Sequence, residues 1–157
     1  MSYHIQIKNE LVSRNICTSK QIEELEKTSA KKGSSFEDTI ISTGLVDYPR
    51  LGEILSTISA LPYSNVLAVA PDYQAVAMVS RACIERWNIL PFAYDNTRQV
   101  LTIIISDENQ KFFMDSLKSL LMEPFSFSFA IASEKEINLA IRKHITGGFE
   151  KQDNEEK

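Results

Sequence analysis

The sequence predicts an α+β chain, with a helical N-terminal subdomain of about four helices followed by a small α/β subdomain whose sheet has three or more strands. Three observations carry this. Up to about Ser59, apolar residues recur at helical spacing between capping signals. From Ile89 onward, short apolar runs and strict alternation replace that spacing. Between the two, Ala60-Leu61-Pro62-Tyr63 interrupts the helical pattern. The organisation that follows is a helical subdomain over 1–60, an α/β subdomain over 61–146 and a disordered acidic tail over 147–157.

Each N-terminal helix has its own start and stop. Ile7, Leu11 and Val12 share one side of a helix over about Ile5–Arg14, which Asn15 closes because Asn tolerates the left-handed conformation. Thr18 followed three residues later by Gln21 makes a capping box; Ile22 and Leu25 then recur at helical spacing, and Lys31-Lys32-Gly33 ends the segment. Ser34 and Glu37 repeat the box ahead of Phe36, Ile40 and Ile41, and Gly44 stops that third helix. Asp47 caps a fourth, with Pro49 in the first turn, where a missing N–H costs nothing, and with Leu51, Ile54, Leu55 and Ile58 facing inward. The stretches 11–18 and 40–47, at an offset of 29, both run from a helix end at Asn or Gly through two apolar residues to a cap. Two tandem helix-turn-helix units account for this, and so does the generic likeness of any two capped helical hairpins.

Beyond the break, Pro71-Asp72 opens a helical stretch in which Val76, Val79, Cys83 and Ile84 keep helical spacing as far as Trp87. Ile89–Tyr94, the polar turn Asp95-Asn96-Thr97-Arg98, and Val100–Ile105 read as a hairpin whose second strand, apolar on both faces, belongs in a sheet interior. Asp107 and Gln110 start a further helix through Phe112, Phe113, Leu117 and Leu120. Phe125, Phe127, Phe129 and Ile131 alternate with Ser126, Ser128, Ala130 and Ala132, a strand with one buried face and one small or polar face. A last capping box, Ser133 with Glu136, precedes a helix through Ile137, Ala140 and Ile141. After Thr146-Gly147-Gly148 too little apolar surface remains to offset the ordering entropy of about 1 to 2 kcal/mol per residue. Removing 149–157 is therefore expected to leave the melting temperature within about two degrees; a larger drop would show that the tail is part of the fold.

Composition excludes several functions. With 17 basic against 21 acidic side chains and a net charge of -4, Lys and Arg scattered singly, the chain lacks the electrostatic footprint of a nucleic-acid or anionic-membrane binder. Its apolar runs fall well short of the roughly 20 residues a membrane span needs, and the N-terminus has no signal-peptide pattern. The expected compartment is the cytoplasm. Cys17 and Cys83, without CxxC or Cys/His spacing, read as buried reduced thiols, so no metal site or disulfide is expected.

The residue types of catalysis are not assembled either. There are two histidines: His4 in a frayed start and His144 near the end of the last helix, where a cation suits the helix dipole. GxSxG, HExxH and GxxxxGK[ST] are all absent. Glu23-Glu24 and Glu134-Glu136 read as dipole-favoured residues on solvated helix surfaces, and Trp87 as core. The chain is expected to be no enzyme and to need no cofactor.

The succession Ile40-x-x-x-Gly44-Leu45-Val46, Leu51, Leu55, Ala60-Leu61-Pro62-Tyr63 resembles the N-terminal domain of type II secretion and type IV pilus assembly ATPases, the MshE N-terminal family. Val79 through Cys83 to Ile89-Leu90-Pro91-Phe92, Leu101–Asp107 and Phe125–Ile145 are similar to the family's later elements, so the resemblance spans about residues 5–146. It implies a non-catalytic docking and regulatory module whose partner is a protein of the secretion or pilus machinery. In some members the helical part binds cyclic di-GMP through two tandem motifs that begin Arg-Leu-Gly, carry a central Gly and close on Gln. Here the first three positions fall on Gln6, Ile7 and Lys8, and on Ser35, Phe36 and Glu37. The central position holds Asn15 and Gly44, and the closing one falls near Ser29 and Ile58. Leu11, Ile16, Ile40, Gly44 and Leu45 remain as the candidate ligand-binding residues under the alternative that the domain is a cyclic di-GMP receptor. Two lost charge-assisted hydrogen bonds, about 1.5 to 3 kcal/mol each, and the charge of Glu37 argue against the second messenger as a partner.

Overall fold

A computed structural model describes residues 3–107, 110–111 and 125–146. Four helices come first: α1 (His4–Ser13), α2 (Ser19–Lys32), α3 (Phe36–Ser42) and α4 (Tyr48–Ser59). Two short helices follow, α5 (Tyr73–Ala77) and α6 (Arg81–Trp87), then β1 (Leu90–Asp95), β2 (Val100–Ile105), β3 (Ser126–Ile131), α7 (Glu134–Ile141) and a π-helical turn, Arg142–Thr146. The chain thus has the α+β order its sequence predicts. The helix expected through Phe112 and Leu120, and the tail over 147–157, lie outside the described residues.

Capping chemistry sets the helix starts. Thr18 and Gln21 form a reciprocal capping box on α2, Asp47 accepts from the Arg50 N–H at the head of α4, and Ser133 and Glu136 form a second box on α7. At α3 the cap is Ser35, which accepts from the Asp38 N–H, and not Ser34. The Ser34 hydroxyl instead meets Thr39 Oγ1 at 3.2 Å, so the helix begins one residue later than the Ser34/Glu37 pattern implies. The single helix expected over 72–87 is two. Ser80 accepts from the Cys83 N–H and starts α6 afresh, because a Ser within the apolar spacing serves as a cap where the chain turns.

The repeat at an offset of 29 is present in the backbone. Asn15 (φ +59°) and Gly44 (φ +78°) both adopt the left-handed conformation. Their N–H groups donate to Val12 and Ile41 at 3.0 and 3.1 Å, and those of Cys17 and Val46 reach back to Leu11 and Ile40 at 3.4 and 3.2 Å. Burial agrees: Ile7 and Phe36, Leu11 and Ile40, Cys17 and Val46, and Ile22 and Leu51 are all buried. The two units thus share one turn geometry and these four core positions, and α4 buries Ile54 and Leu55 besides.

The sheet has the order β1-β2-β3. β1 pairs antiparallel with β2, with a bulge between Pro91 and Ala93, and β2 pairs parallel with β3. The central position of β2 explains why Leu101, Ile103, Ile104 and Ile105 are all fully buried. Asp95 Oδ1 closes the hairpin by accepting from the Thr97 and Arg98 N–H groups. In β3 the expected two-faced pattern holds only at the start. Ser126 and Ser128 are exposed and Phe127 and Phe129 half-buried, but Ala130, Ile131 and Ala132 are all buried, because α4 approaches that end of the strand. One continuous buried cluster runs from Ile7 to Ile145 and includes helical and sheet residues alike.

Other expectations need correction. Val12 is exposed, since only Ile7 and Leu11 of α1 face the core. Cys83 is half-buried, whereas Cys17 is buried and burial pushes its thiol up. Trp87 is half-buried against the core, its carbonyl accepting from Gln110 Nε2 at 2.7 Å. His4 packs edge-on against Phe36 and lies 3.9 Å from Glu37. Burial, then the charge of Lys143, pushes His144 down, so it is less ready to carry a charge than its position near a helix end implies.

Candidate functional site

Of the residues expected to serve a ligand, Leu11 and Ile40 are fully buried core and present no surface. Ile16 and Leu45 are half-buried, each directly after its left-handed turn, and Gly44 is exposed with no atom within 4 Å of where a Cβ would stand. A shallow depression runs from Ile41 past Gly44 and Leu45 to Arg50. Arg50 is engaged with Glu53 at 3.5 Å, and the turn at Asn15 is flanked by Arg14, whose Nε lies 3.0 Å from Glu10. The basic side chains beside both turns therefore already hold carboxylates.

A second, more enclosed concavity lies elsewhere, between the helical layer and the end of the sheet. It encloses about 440 Å³ and is walled by α1, α3 and α4 on one side and by the ends of β2 and α7 on the other. Three chain segments that begin helices or follow a strand converge on it: Ser35–Asp38, Ser106–Asp107 and Ser133–Lys135. Tyr3 and Tyr48 contribute aromatic wall, and burial, followed by the charges of Asp38 and Glu136, pushes the Tyr48 hydroxyl up. Of the charged side chains at the wall, Glu37, Asp38, Asp107 and Glu134 are acidic and Lys135 is basic. The individual caps were legible in the sequence, but no sequence signal says that they face one space.

Beside this cleft, three residues join the helical layer to the sheet. Tyr63 lies in the segment after α4, bridges to Ile131 and donates its hydroxyl to Glu136 Oε2 at 2.6 Å. Its ring sits on Gly52 of α4 so closely that a Cβ there would overlap it. Glu136 is fully buried, contrary to the solvated surface expected for it, because its other oxygen closes the capping box with Ser133 and turns the carboxylate inward. Burial pushes the Glu136 carboxyl up, against the lowering effect of Tyr63 and Ser133, and pushes the Tyr63 hydroxyl far above its ordinary range. Ser133 and Glu136 were recognisable as a box. That a tyrosine 73 residues away completes it was not.

Among the described residues no three His, Cys, Asp or Glu side chains are grouped to hold a metal ion, and no helix is long and apolar enough to cross a membrane. The fold is shared with solved structures that are less than 25% identical to this chain. The chain is similar to MshE, solved with cdg, at 24% identity and a TM-score of 0.62, over 88% of this chain and 97% of that one. It is likewise similar to the N-terminal domain of XpsE, at 16% identity and a TM-score of 0.57, over 92% and 96%. No protein-family profile and no curated protein sequence matches the chain.

Proposed function

We propose that this chain is a non-catalytic docking module, of the kind found at the N-terminus of secretion and pilus ATPases, that recognises a protein component of such a machinery on the cytoplasmic side of the inner membrane. The observation that supports this is the fold shared with MshE and with the XpsE N-terminal domain over nearly the full length of each. In this reading residues 1–60 and 61–146 are the two subdomains, and the folded part alone carries recognition. A pull-down from a lysate of the source organism is expected to recover a secretion or pilus component with the chain lacking 147–157. Recovery that requires the tail would move recognition out of the fold and defeat the docking reading.

The alternative, a cyclic di-GMP receptor, draws on one observation, that MshE was solved with cdg. Against it stand Gln6 and Ser35 where arginines are needed, Glu37 where a glycine is, and the full burial of Leu11 and Ile40. A calorimetric titration at moderate salt is expected to show no binding tighter than about 100 µM, or about -5.5 kcal/mol. Saturable micromolar heat would overturn this. If weak binding is seen, Ser35→Arg with Glu37→Gly is expected to strengthen it by restoring a phosphate partner and removing a like charge.

A further inference from the structure

We infer that the outer edge of β3 is a self-association surface, on which β3 of a second copy of this chain pairs antiparallel about a two-fold axis at Ser128. The inference is independent of the docking reading above.

The edge follows from the backbone register. β3 pairs parallel with β2 through its even-numbered residues: the Ser126 N–H donates to the Gln99 carbonyl at 2.9 Å and the Ala132 N–H to the Ile105 carbonyl at 3.1 Å. The N–H and C=O groups of Phe127, Phe129 and Ile131 therefore point away from β2. At Ile131 the chain covers its own edge, because the N–H donates to the Pro62 carbonyl at 2.8 Å and the Ile131 carbonyl accepts from the Ser64 N–H at 3.0 Å. Extending that ladder to the Phe129 carbonyl needs an N–H at position 62, and proline has none. Pro62 thus ends the cover. At Phe127 and Phe129 the outward N–H and C=O groups have no backbone partner among the described residues.

The two edges of the sheet differ. β1 is blunted by Pro91, by the bulge before Ala93 and by the Asp72 N–H, which donates to the Phe92 carbonyl at 2.8 Å. β3 has no such device: Ser126–Ile131 reads Ser-Phe-Ser-Phe-Ala-Ile, without charge, proline or glycine. Lys111 Nζ stands over the Phe129 ring at 5.7 Å but takes up none of the open backbone groups. An uncharged strand edge of this kind is a template for another strand.

A second copy fits because the strand is complementary to itself. In an antiparallel pair centred on Ser128, Phe127 of one copy faces Phe129 of the other and exchanges both hydrogen bonds with it, and the reciprocal pair does the same. Every open group of one copy then meets one of the other. Phe127 and Phe129, half-buried in one chain, become cross-strand aromatic pairs. The exposed Ser128 stands opposite its own counterpart, with no charge to repel it. An axis at Phe129 would instead set Phe127 against Ile131, whose groups Pro62 and Ser64 already hold. The length also matches, because β3 begins at Ser126, which falls opposite Ala130, one residue short of the covered Ile131.

The test is sedimentation equilibrium of the full chain, taken to about 200 µM because a short edge contact belongs to the weak class of interfaces. A reversible monomer–dimer equilibrium is expected. Ser128→Lys sets like charges directly opposite each other and should weaken the dimer about fivefold or more, with an unchanged circular dichroism spectrum. Cross-linking reads the register. Ser128→Cys lies at a non-hydrogen-bonded pair, whose Cα separation of about 4.5 Å suits a disulfide, and should give a covalent dimer under mild oxidation. Ser126→Cys, which stands opposite Ala130 and not opposite itself, should not, and neither should the wild-type chain with Cys17 and Cys83. A chain that stays monomeric at every concentration would leave the edge to a strand of another protein and overturn the inference. A dimer indifferent to Ser128→Lys, or linked as readily through Ser126→Cys as through Ser128→Cys, would overturn it by placing the contact elsewhere.

Discussion

Truncation before Ser133 is expected to abolish soluble folded protein. The cut removes Ile137, Ala140, Ile141 and Ile145, all buried, together with Glu136, the partner of Tyr63. The three isoleucines alone contribute about 1.5 to 3 kcal/mol each by burial. That sum rivals the whole stability of a typical domain, about 5 to 15 kcal/mol. The loss also uncovers β1 and β2, against which α7 packs, and leaves apolar sheet surface open to association. The soluble fraction after expression and a thermal melt check this. A soluble truncation with a cooperative transition would show that the sheet does not depend on α7.

Tyr63→Phe is expected to lower the melting temperature by about 5 to 10 °C. The hydroxyl donates at 2.6 Å to a fully buried carboxylate. A hydrogen bond to a charged group contributes about 1.5 to 3 kcal/mol, and its removal leaves the buried acceptor partly unmet. In a chain of this size 1 kcal/mol corresponds to roughly 2 to 4 °C. Gly52→Ala acts on the same joint from the other side, because its methyl group overlaps the Tyr63 ring while Glu136 holds the far end of that ring in place. A cost of about 1 to 3 kcal/mol follows from such overpacking. The two effects should not add, and Gly52→Ala should cost little in a Tyr63→Ala background, where there is no ring to displace. Differential scanning calorimetry of the wild-type chain, of each single variant and of Gly52→Ala combined with Tyr63→Phe or with Tyr63→Ala checks this. Full additivity would mean that ring and glycine do not oppose each other.

The same joint has a pH signature. Because burial raises the Glu136 carboxyl in the folded state, the fold binds that proton more tightly than the unfolded chain does. The associated stability is present below the ordinary carboxylate pKa of about 4.3 and is lost as pH rises through the folded value. Glu136→Gln cannot titrate, so the stability of the wild-type chain relative to this variant should fall as pH increases above about 4.3. A difference that is flat with pH would show that burial does not raise the Glu136 carboxyl in the fold.

Helix boundaries were legible because they depend on neighbours in sequence. Thr18 with Gln21 and Ser133 with Glu136 each meet within one turn, and Asn15 and Gly44 take left-handed conformations that only a few residue types adopt readily. The interior position of β2 was legible for a related reason, since Val100–Ile105 has no polar face to give to solvent. Where a local signal had two uses, the sequence was ambiguous. Ser80 fits an apolar helical stretch as well as a cap, and Ser34 and Ser35 are equally able to cap α3. The candidate site was less legible than the fold, because a position in a motif does not state its exposure. Leu11 and Ile40 fit a ligand motif and a core equally well, and their complete burial assigns them to the core.

The sequence by itself determined the order and type of most of the described elements and the tandem turns, which follow from residues within a few positions of one another. Only the tertiary structure decided that Glu136 is buried, that Tyr63 reaches it across 73 positions while resting on Gly52, and that the segments at Ser35, Ser106 and Ser133 enclose one acidic cleft. The physical reason is that burial and field are sums over everything packed nearby. Neighbours in space contribute to those sums regardless of their separation along the chain, so local pattern cannot supply them.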